Sequence, residues 1–181
     1  GNDADELDAV IEKASEVVLE AGAIDVLVAD TPALKRDAWA ARSSFLEAIM
    51  ADTKLLDECD VVVPVTQIAK FLGYVESLEE TVGLKVRSFG HAGDGNLHIY
   101  CCSNDLEEDE FKARAEKFME AVYVKATELG GQVSGEHGIG HGKVPYLAES
   151  VGEVNMRLME QIKQVFDPNL ILNPGKVCYK L

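Results

Sequence analysis

Three of the four histidines in this chain lie in two glycine-rich stretches, and these are the residues whose types and spacing can do chemistry. The first stretch reads Gly90-His91-Ala92-Gly93-Asp94-Gly95-Asn96-Leu97-His98. The second reads Ser134-Gly135-Glu136-His137-Gly138-Ile139-Gly140, and His141 follows directly. His91 and His98 flank a Gly-Asp-Gly turn, in which Gly93 and Gly95 supply backbone conformations that side-chain-bearing residues resist. Such a turn brings its flanks together, so both imidazoles can face one point, and Glu136 can add a carboxylate oxygen. Two histidines, one carboxylate and open positions describe a catalytic divalent-cation site rather than a closed structural one. His137, next to that site, is then placed to act as a general base. A His-x6-His spacing alone is a weak signal. The bland reading of each ring is a hydrogen-bonded loop or core histidine; the two stretches together favour the site. Asp94, between glycines, reads as a turn residue before a ligand. Asn96 suits ligand orientation and turn bonding equally, and His141 and Lys143 read as surface groups.

The elements that must position these residues follow from hydrophobic periodicity. Leu7, Val10, Ile11, Ala14, Val17, Val18 and Ala21 make one apolar helix face, stopped by Gly22. Ile24 to Ala29 reads as a short strand. Thr31-Pro32 opens a second helix with a capping threonine and a proline at its first position. Its stripe is Leu34, Ala38, Ala41, Phe45 and Ala48. Arg42 lies at the edge of that stripe, either at the rim of a buried site or with its stem over apolar surface and its head in water. Cys59 to Pro64 is a Val-rich strand, Thr66 to Glu80 a helix, and Leu84 to Gly90 and Asn96 to Cys101 are strands on either side of the Gly-Asp-Gly turn. A long helix, Leu106 to Leu129, ends at Gly130-Gly131. Gln132 to Gly135 reads as a fifth, short strand, and Val144 to Ala148 as a turn or short helix. A last helix carries Val154, Leu158, Ile162 and Val165 and ends at Asp167-Pro168; the chain from Ile171 on reads as irregular. This order predicts an α+β fold, ferredoxin-like, with a mainly antiparallel sheet and helices packed on one face.

The 181 residues suit a single domain, with 47% hydrophobic and 27% charged residues, enough to form a packed core. The net charge of −15 speaks against nucleic acid or an anionic membrane surface as partner. No apolar run reaches the roughly 20 residues that span a bilayer. Cysteines 59, 101, 102 and 178 form no CxxC pair, and adjacent Cys101 and Cys102 point to opposite faces of a strand. They read as reduced thiols of a cytoplasmic protein.

Beyond these readings, the chain resembles the C-terminal domain of FAD-linked 2-hydroxy-acid dehydrogenases: the D-lactate dehydrogenases, the glycolate oxidase flavin subunit and D-2-hydroxyglutarate dehydrogenase. The likeness rests on His91 to His98, on Gly135 to Gly140, on Asp167-Pro168-Asn169 with Leu172-Asn173-Pro174-Gly175-Lys176, and on Trp39-Ala40-Ala41-Arg42. It implies that residues 1–181 are a substrate- and metal-binding domain acting with a separate FAD-binding domain, and that these residues alone are inactive. It assigns His91, His98 and Glu136 to a divalent metal, His137 to proton abstraction, Arg42 to the substrate carboxylate and Asn173 to the flavin. The implied cofactors are FAD, held mainly by the other domain, and Zn, Mn or Fe; the implied substrate is a small 2-hydroxy acid. The branch acting on 2-hydroxyglutarate carries extra polar and basic groups where this chain has Leu46 and Glu58, and an amide where it has Tyr100. That departure favours D-lactate or glycolate. Two readings from other classes compete: a metal-binding interaction module, and a metal-dependent hydrolase without flavin. The electron acceptor and the oligomeric state, a homo-oligomer included, stay open.

Overall fold

A computed structural model describes residues 3–178 of the chain. They divide into two compact units, Gly1–Phe45 and Leu46–Leu181. The first unit holds helices α1 (Ala4–Glu20) and α2 (Pro32–Ser43). The Asp3 carboxylate caps α1 by accepting the Asp5 N–H at 2.9 Å, and the Thr31 hydroxyl caps α2 by accepting the Leu34 N–H at 3.2 Å. Each satisfies one of the amides a helix start leaves unpaired. Ile24 to Ala29 forms no strand. The reason is physical: a β-prone stretch needs a neighbour for its amides, and none pairs with it. The helix expected to run on through Ala48 is interrupted at Ser44, whose hydroxyl donates to the Ala40 carbonyl at 2.9 Å. A separate helix, α3 (Phe45–Asp52), follows.

The second unit is built on an antiparallel sheet of β1 (Leu55–Val62), β2 (Lys85–His91) and β3 (Asn96–Ser103), in the order β1-β3-β2. Between β1 and β2 runs α4 (Ile68–Leu78), with a 3-10 turn at Val65–Gln67 before it and a wide turn at Glu79–Gly83 after it. Helix α5 (Glu108–Glu128) follows β3. One sheet face carries Cys59, Val61, Val86, Leu97, Ile99 and Cys101, which form the core with Phe71 and Val75 of α4 and Phe111, Phe118 and Val122 of α5. The α+β class and the antiparallel sheet with helices on one face therefore match the expectation.

Two expected elements differ. Gln132–Gly135 is not a full strand: Gln132 and Val62 exchange one pair of backbone hydrogen bonds, of 2.8 and 3.1 Å, and no further pairing follows. The chain beyond Val133 turns its amides elsewhere, as described below. The short helix at Val144 and the last helix form one element, α6 (Val144–Phe166), broken at Gly152 by a backbone φ of 76°. Asp167 closes α6, its carboxylate accepting the N–H groups of Ile171 and Leu172 at 3.0 and 2.9 Å. No helix among the described residues is long and apolar enough to cross a membrane. All four cysteines are free, buried thiols, with Cys101 on the core face and Cys102 on the other; burial, then the neighbouring Asp57, pushes Cys101 up to about 12.

A histidine and carboxylate cluster on the open sheet face

Strand side chains alternate between faces, so the pairing register decides what shares a face. Asp60 stands opposite His98 and Glu58 opposite Tyr100 across β1 and β3. Phe89 stands opposite His98 and His91 opposite Asn96 across β2 and β3. All seven therefore belong to the face away from the core. The turn joining β2 to β3 closes with Gly95 N–H donating to the His91 carbonyl at 2.9 Å, and the Asp94 carboxylate accepts the Asn96 N–H at 3.0 Å. Gly95 has φ +83°, and a Cβ there would run into the Val63 carbonyl, so only glycine fits. Asp94 is a turn residue, and the turn sets the His91 and His98 ring centres 5.9 Å apart, edge to face.

Glu136 and His137 arrive on the segment after Val133, and Asp60 holds that segment. Its carboxylate accepts from the Ser134 hydroxyl (2.8 Å) and from the N–H groups of Gly135 (3.1 Å), Glu136 (3.1 Å) and His137 (2.8 Å). These amides go to Asp60 instead of extending the sheet. Asp60 is buried. Burial pushes its carboxyl up, but the donors from His137, Ser134 and Glu136, with Lys143 nearby, more than offset this and hold it below the ordinary carboxylate value. Lys143, expected at the surface, is instead half-buried here, its Nζ donating to the Asp60 carbonyl at 3.0 Å. Gly135 passes so close to Asn96 Oδ1 that a Cβ would overlap it. Asn96 Oδ1 is buried and accepts no hydrogen bond among the described residues.

The four residues singled out by spacing are gathered in one place. Glu136 Oε1 lies 3.0 Å from His98 Nε2, 3.9 Å from His91 Nε2 and 3.9 Å from His137 Nε2. One atom each from His91, His98 and Glu136 fall within 4.8 Å of one another, and so do atoms of Glu58, His98 and His137. The donor set fits a divalent cation. His98 has a carboxylate at each ring nitrogen, Glu58 at Nδ1 (3.2 Å) and Glu136 at Nε2 (3.0 Å). A neutral imidazole has one N–H and can serve one of them. The other contact sets two lone pairs against each other unless a proton or a metal ion lies between.

Asp60 and Lys143 are parts of the site that sequence reasoning did not assign to it, and Glu58 and Tyr100 entered that reasoning only as positions where the 2-hydroxyglutarate branch differs. Tyr100 is buried and donates to Glu58 Oε1 at 3.0 Å. Burial, then the adjacent Glu58 carboxylate, pushes its phenol up, so it remains a donor at neutral pH. Phe89 lies 5.4 Å from both His98, tilted against it, and Tyr100, stacked on it. A signal existed: Glu58 and Asp60 alternate with Cys59 and Val61, and period-2 polar residues in an apolar strand mark a second, functional face. Starting the strand at Cys59 cut Glu58 off. The two other expected site residues lie on other segments. Arg42 lies in the last turn of α2, in the first unit. Asn173 follows α6 with φ +46°, its Oδ1 accepting from Lys176 Nζ at 3.5 Å.

The family described as FAD linked oxidases, C-terminal domain, matches residues 1–177. The chain belongs to that family. Over all 181 residues it is 70% identical to a D-lactate dehydrogenase of Anaerostipes hadrus, of which it covers 38%. It is 35% identical to glycolate oxidase subunit GlcD of Bacillus subtilis, with 94% of this chain and 36% of the relative covered. It is 37% identical to a D-lactate dehydrogenase of Archaeoglobus fulgidus, with 94% and 37% covered. The chain thus spans less than two-fifths of the length of these relatives.

Proposed function

We propose that this chain is the substrate- and metal-binding domain of an FAD-dependent dehydrogenase that oxidises a small D-2-hydroxy acid, D-lactate or glycolate, to the 2-oxo acid. The observation that carries the reading is the approach of three imidazole Nε2 atoms to the single oxygen Glu136 Oε1, in a family of FAD-linked oxidases. His91, His98 and Glu136 are the proposed ligands of a divalent ion; bound there, it supplies positive charge that lowers the pKa of the substrate hydroxyl. FAD, held mainly by a separate domain, supplies the hydride acceptor. Asn173 is the proposed contact of this chain with the flavin. In support, it lines, with Lys176, Met159 and Ile162, an apolar hollow of about 320 Å³.

The chain's own residues do the rest. His137 takes the hydroxyl proton at Nε2 while the C2 hydrogen leaves with its electron pair, so two electrons and two protons depart from the acid. Arg42, on its position in Trp39-Ala40-Ala41-Arg42, is the proposed grip on the substrate carboxylate, since a guanidinium binds a carboxylate through two parallel hydrogen bonds. Glu58 stands 3.4 Å from His137. A second substrate carboxylate near it meets like charge, which supports a monocarboxylic acid over 2-hydroxyglutarate.

The test is a graft. These 181 residues replace the matching segment of the Anaerostipes hadrus D-lactate dehydrogenase, and dye reduction is followed with D-lactate, glycolate and 2-hydroxyglutarate. D-lactate or glycolate is expected to turn over best. Chelation should abolish the activity and added divalent metal restore it, while the 181 residues alone with added FAD stay inactive. Activity indifferent to chelation, or preference for 2-hydroxyglutarate, overturns the reading.

A further inference from the structure

Glu58 has no part in the reading above beyond its charge, yet its Oε1 meets three side chains of this sheet face. Its Oε1 accepts from Tyr100 Oη at 3.0 Å and lies 3.2 Å from His98 Nδ1 and 3.4 Å from His137 Nδ1. Glu58 and Tyr100 are cross-strand partners, and His98 is two residues before Tyr100 on β3, so the sheet itself presents Tyr100 and His98 to this oxygen. His137 comes from the segment that Asp60 anchors, and its ring lies 4.9 Å from that of His98.

We infer that Glu58 is a positioning residue that fixes the tautomers of His98 and His137 together. An ionised carboxylate only accepts. The His98 ring, hydrogen-bonded to Oε1 through Nδ1, is therefore held with its hydrogen on Nδ1, and the His137 ring, whose Nδ1 faces the same oxygen at 3.4 Å, is biased the same way. In His98 the lone pair is left on Nε2, the nitrogen 3.0 Å from Glu136 Oε1. In His137 it is left on Nε2, the nitrogen 3.9 Å from the same oxygen. One carboxylate thus turns a proposed ligand and the proposed base toward the same point with the right nitrogen bare. Carboxylates behind metal-ligating histidines do this generally, and removing one costs roughly 10–100-fold in metal affinity. Tyr100 completes the arrangement by holding Oε1 in place, with Phe89 stacked on Tyr100 and tilted against His98. The inference rests on the metal reading for its consequence, but the tautomers themselves exist without metal.

The experiment uses the 15N-labelled 181-residue chain, with and without zinc, and long-range proton–nitrogen spectra that report which ring nitrogen carries the hydrogen. In the wild type, neutral His98 and His137 are expected as Nδ1–H tautomers. Glu58→Ala should lose that bias at both rings and weaken zinc binding by about 10–100-fold. Glu58→Gln, which keeps the length and one acceptor oxygen, should retain part of both. It also serves as the working variant if Glu58→Ala does not fold, which the amide spectrum shows. Nε2–H tautomers in the wild type, or tautomers and zinc affinity unchanged in the glutamine and alanine variants, overturn the inference. Two zinc ions per wild-type chain, one of them lost with Glu58, also overturn it, because Glu58 would then be a ligand in the Glu58, His98 and His137 trio. A wild-type chain that binds no zinc defeats the metal reading instead, and the tautomers of the metal-free protein still decide the role of Glu58.

Discussion

The two faces of the same three strands both hold deeply buried residues and use them oppositely. On the core face, Cys59, Val61 and Ile99 are fully buried against α4 and α5. On the other, Asp60, Asn96 and His98 are 1%, 5% and 5% exposed. Strand β3 alternates between them: Leu97, Ile99 and Cys101 one way, Asn96, His98 and Tyr100 the other. An apolar side chain is stabilised by removal from water and asks only for a neighbour of matching shape. A buried polar one must find a specific donor or acceptor, or it costs free energy. The open face is therefore over-specified, with Asp60 taking three backbone amides and Glu58 three side-chain neighbours. Depth of burial says nothing about role here; the chemistry of the partner does.

This contrast is sharpest where a single substitution on each face should change one property and spare the other. The largest effect is expected from His98→Ala, which should abolish stoichiometric zinc binding, read by metal analysis of the purified chain. His137→Ala should keep the metal and, in the grafted enzyme, lower turnover by roughly 10² to 10⁴, the size of a general-base contribution. Zinc loss in the His137 variant would make His137 a ligand and move the proton acceptor elsewhere. On the core face, Phe118→Ala should cost about 3–5 kcal/mol in urea unfolding while the folded protein binds zinc as before. Weaker zinc binding at full folding would mean that the two faces are coupled.

Asp60→Asn comes next. Losing the charge that gathers Ser134 and three amides should cost about 1–3 kcal/mol and loosen zinc binding, because Glu136 and His137 ride on that segment. The pH dependence has a definite sign. The folded carboxyl lies below its ordinary value. Its contribution is therefore complete above the unfolded pKa of about 3.9 and fades as pH falls through the lower folded value. The wild-type and Asp60→Asn unfolding curves should begin to converge as pH falls below about 4 and meet once it is below the folded value; a gap that persists there would assign the effect to packing. Ile99→Val, one methylene removed from the core face, should give the smallest change, about 0.5–1.5 kcal/mol, with no effect on zinc.

Much of the site was legible because histidine, glutamate and glycine at fixed spacings leave a local mark. The turn at Gly93 to Gly95 and the segment from Ser134 to Gly140 each announce themselves within ten residues. The ends of the first two helices were legible for the same reason: Thr31-Pro32 and Gly22 act on amides and dihedrals close by in the chain. The partners of Glu58 and Asp60 were not, since they lie 40 to 83 residues away, and no local pattern names a partner at that separation.

The sequence by itself determined which residues are of a type and spacing to carry chemistry, that a sheet and helices share one core, and which family the chain resembles, because residue type, periodicity and motif are local properties. Only the tertiary structure decided how β1 and β3 align. That alignment puts Asp60 across from His98 and Glu58 across from Tyr100. A slip of one residue would have turned both carboxylates into the core. The structure also decided that Ile24 to Ala29 stays irregular and that Gln132 to Gly135 leaves the sheet. Strand formation depends on what is available to pair with, and at Gly135, Glu136 and His137 a buried carboxylate outcompetes a neighbouring strand for the amides.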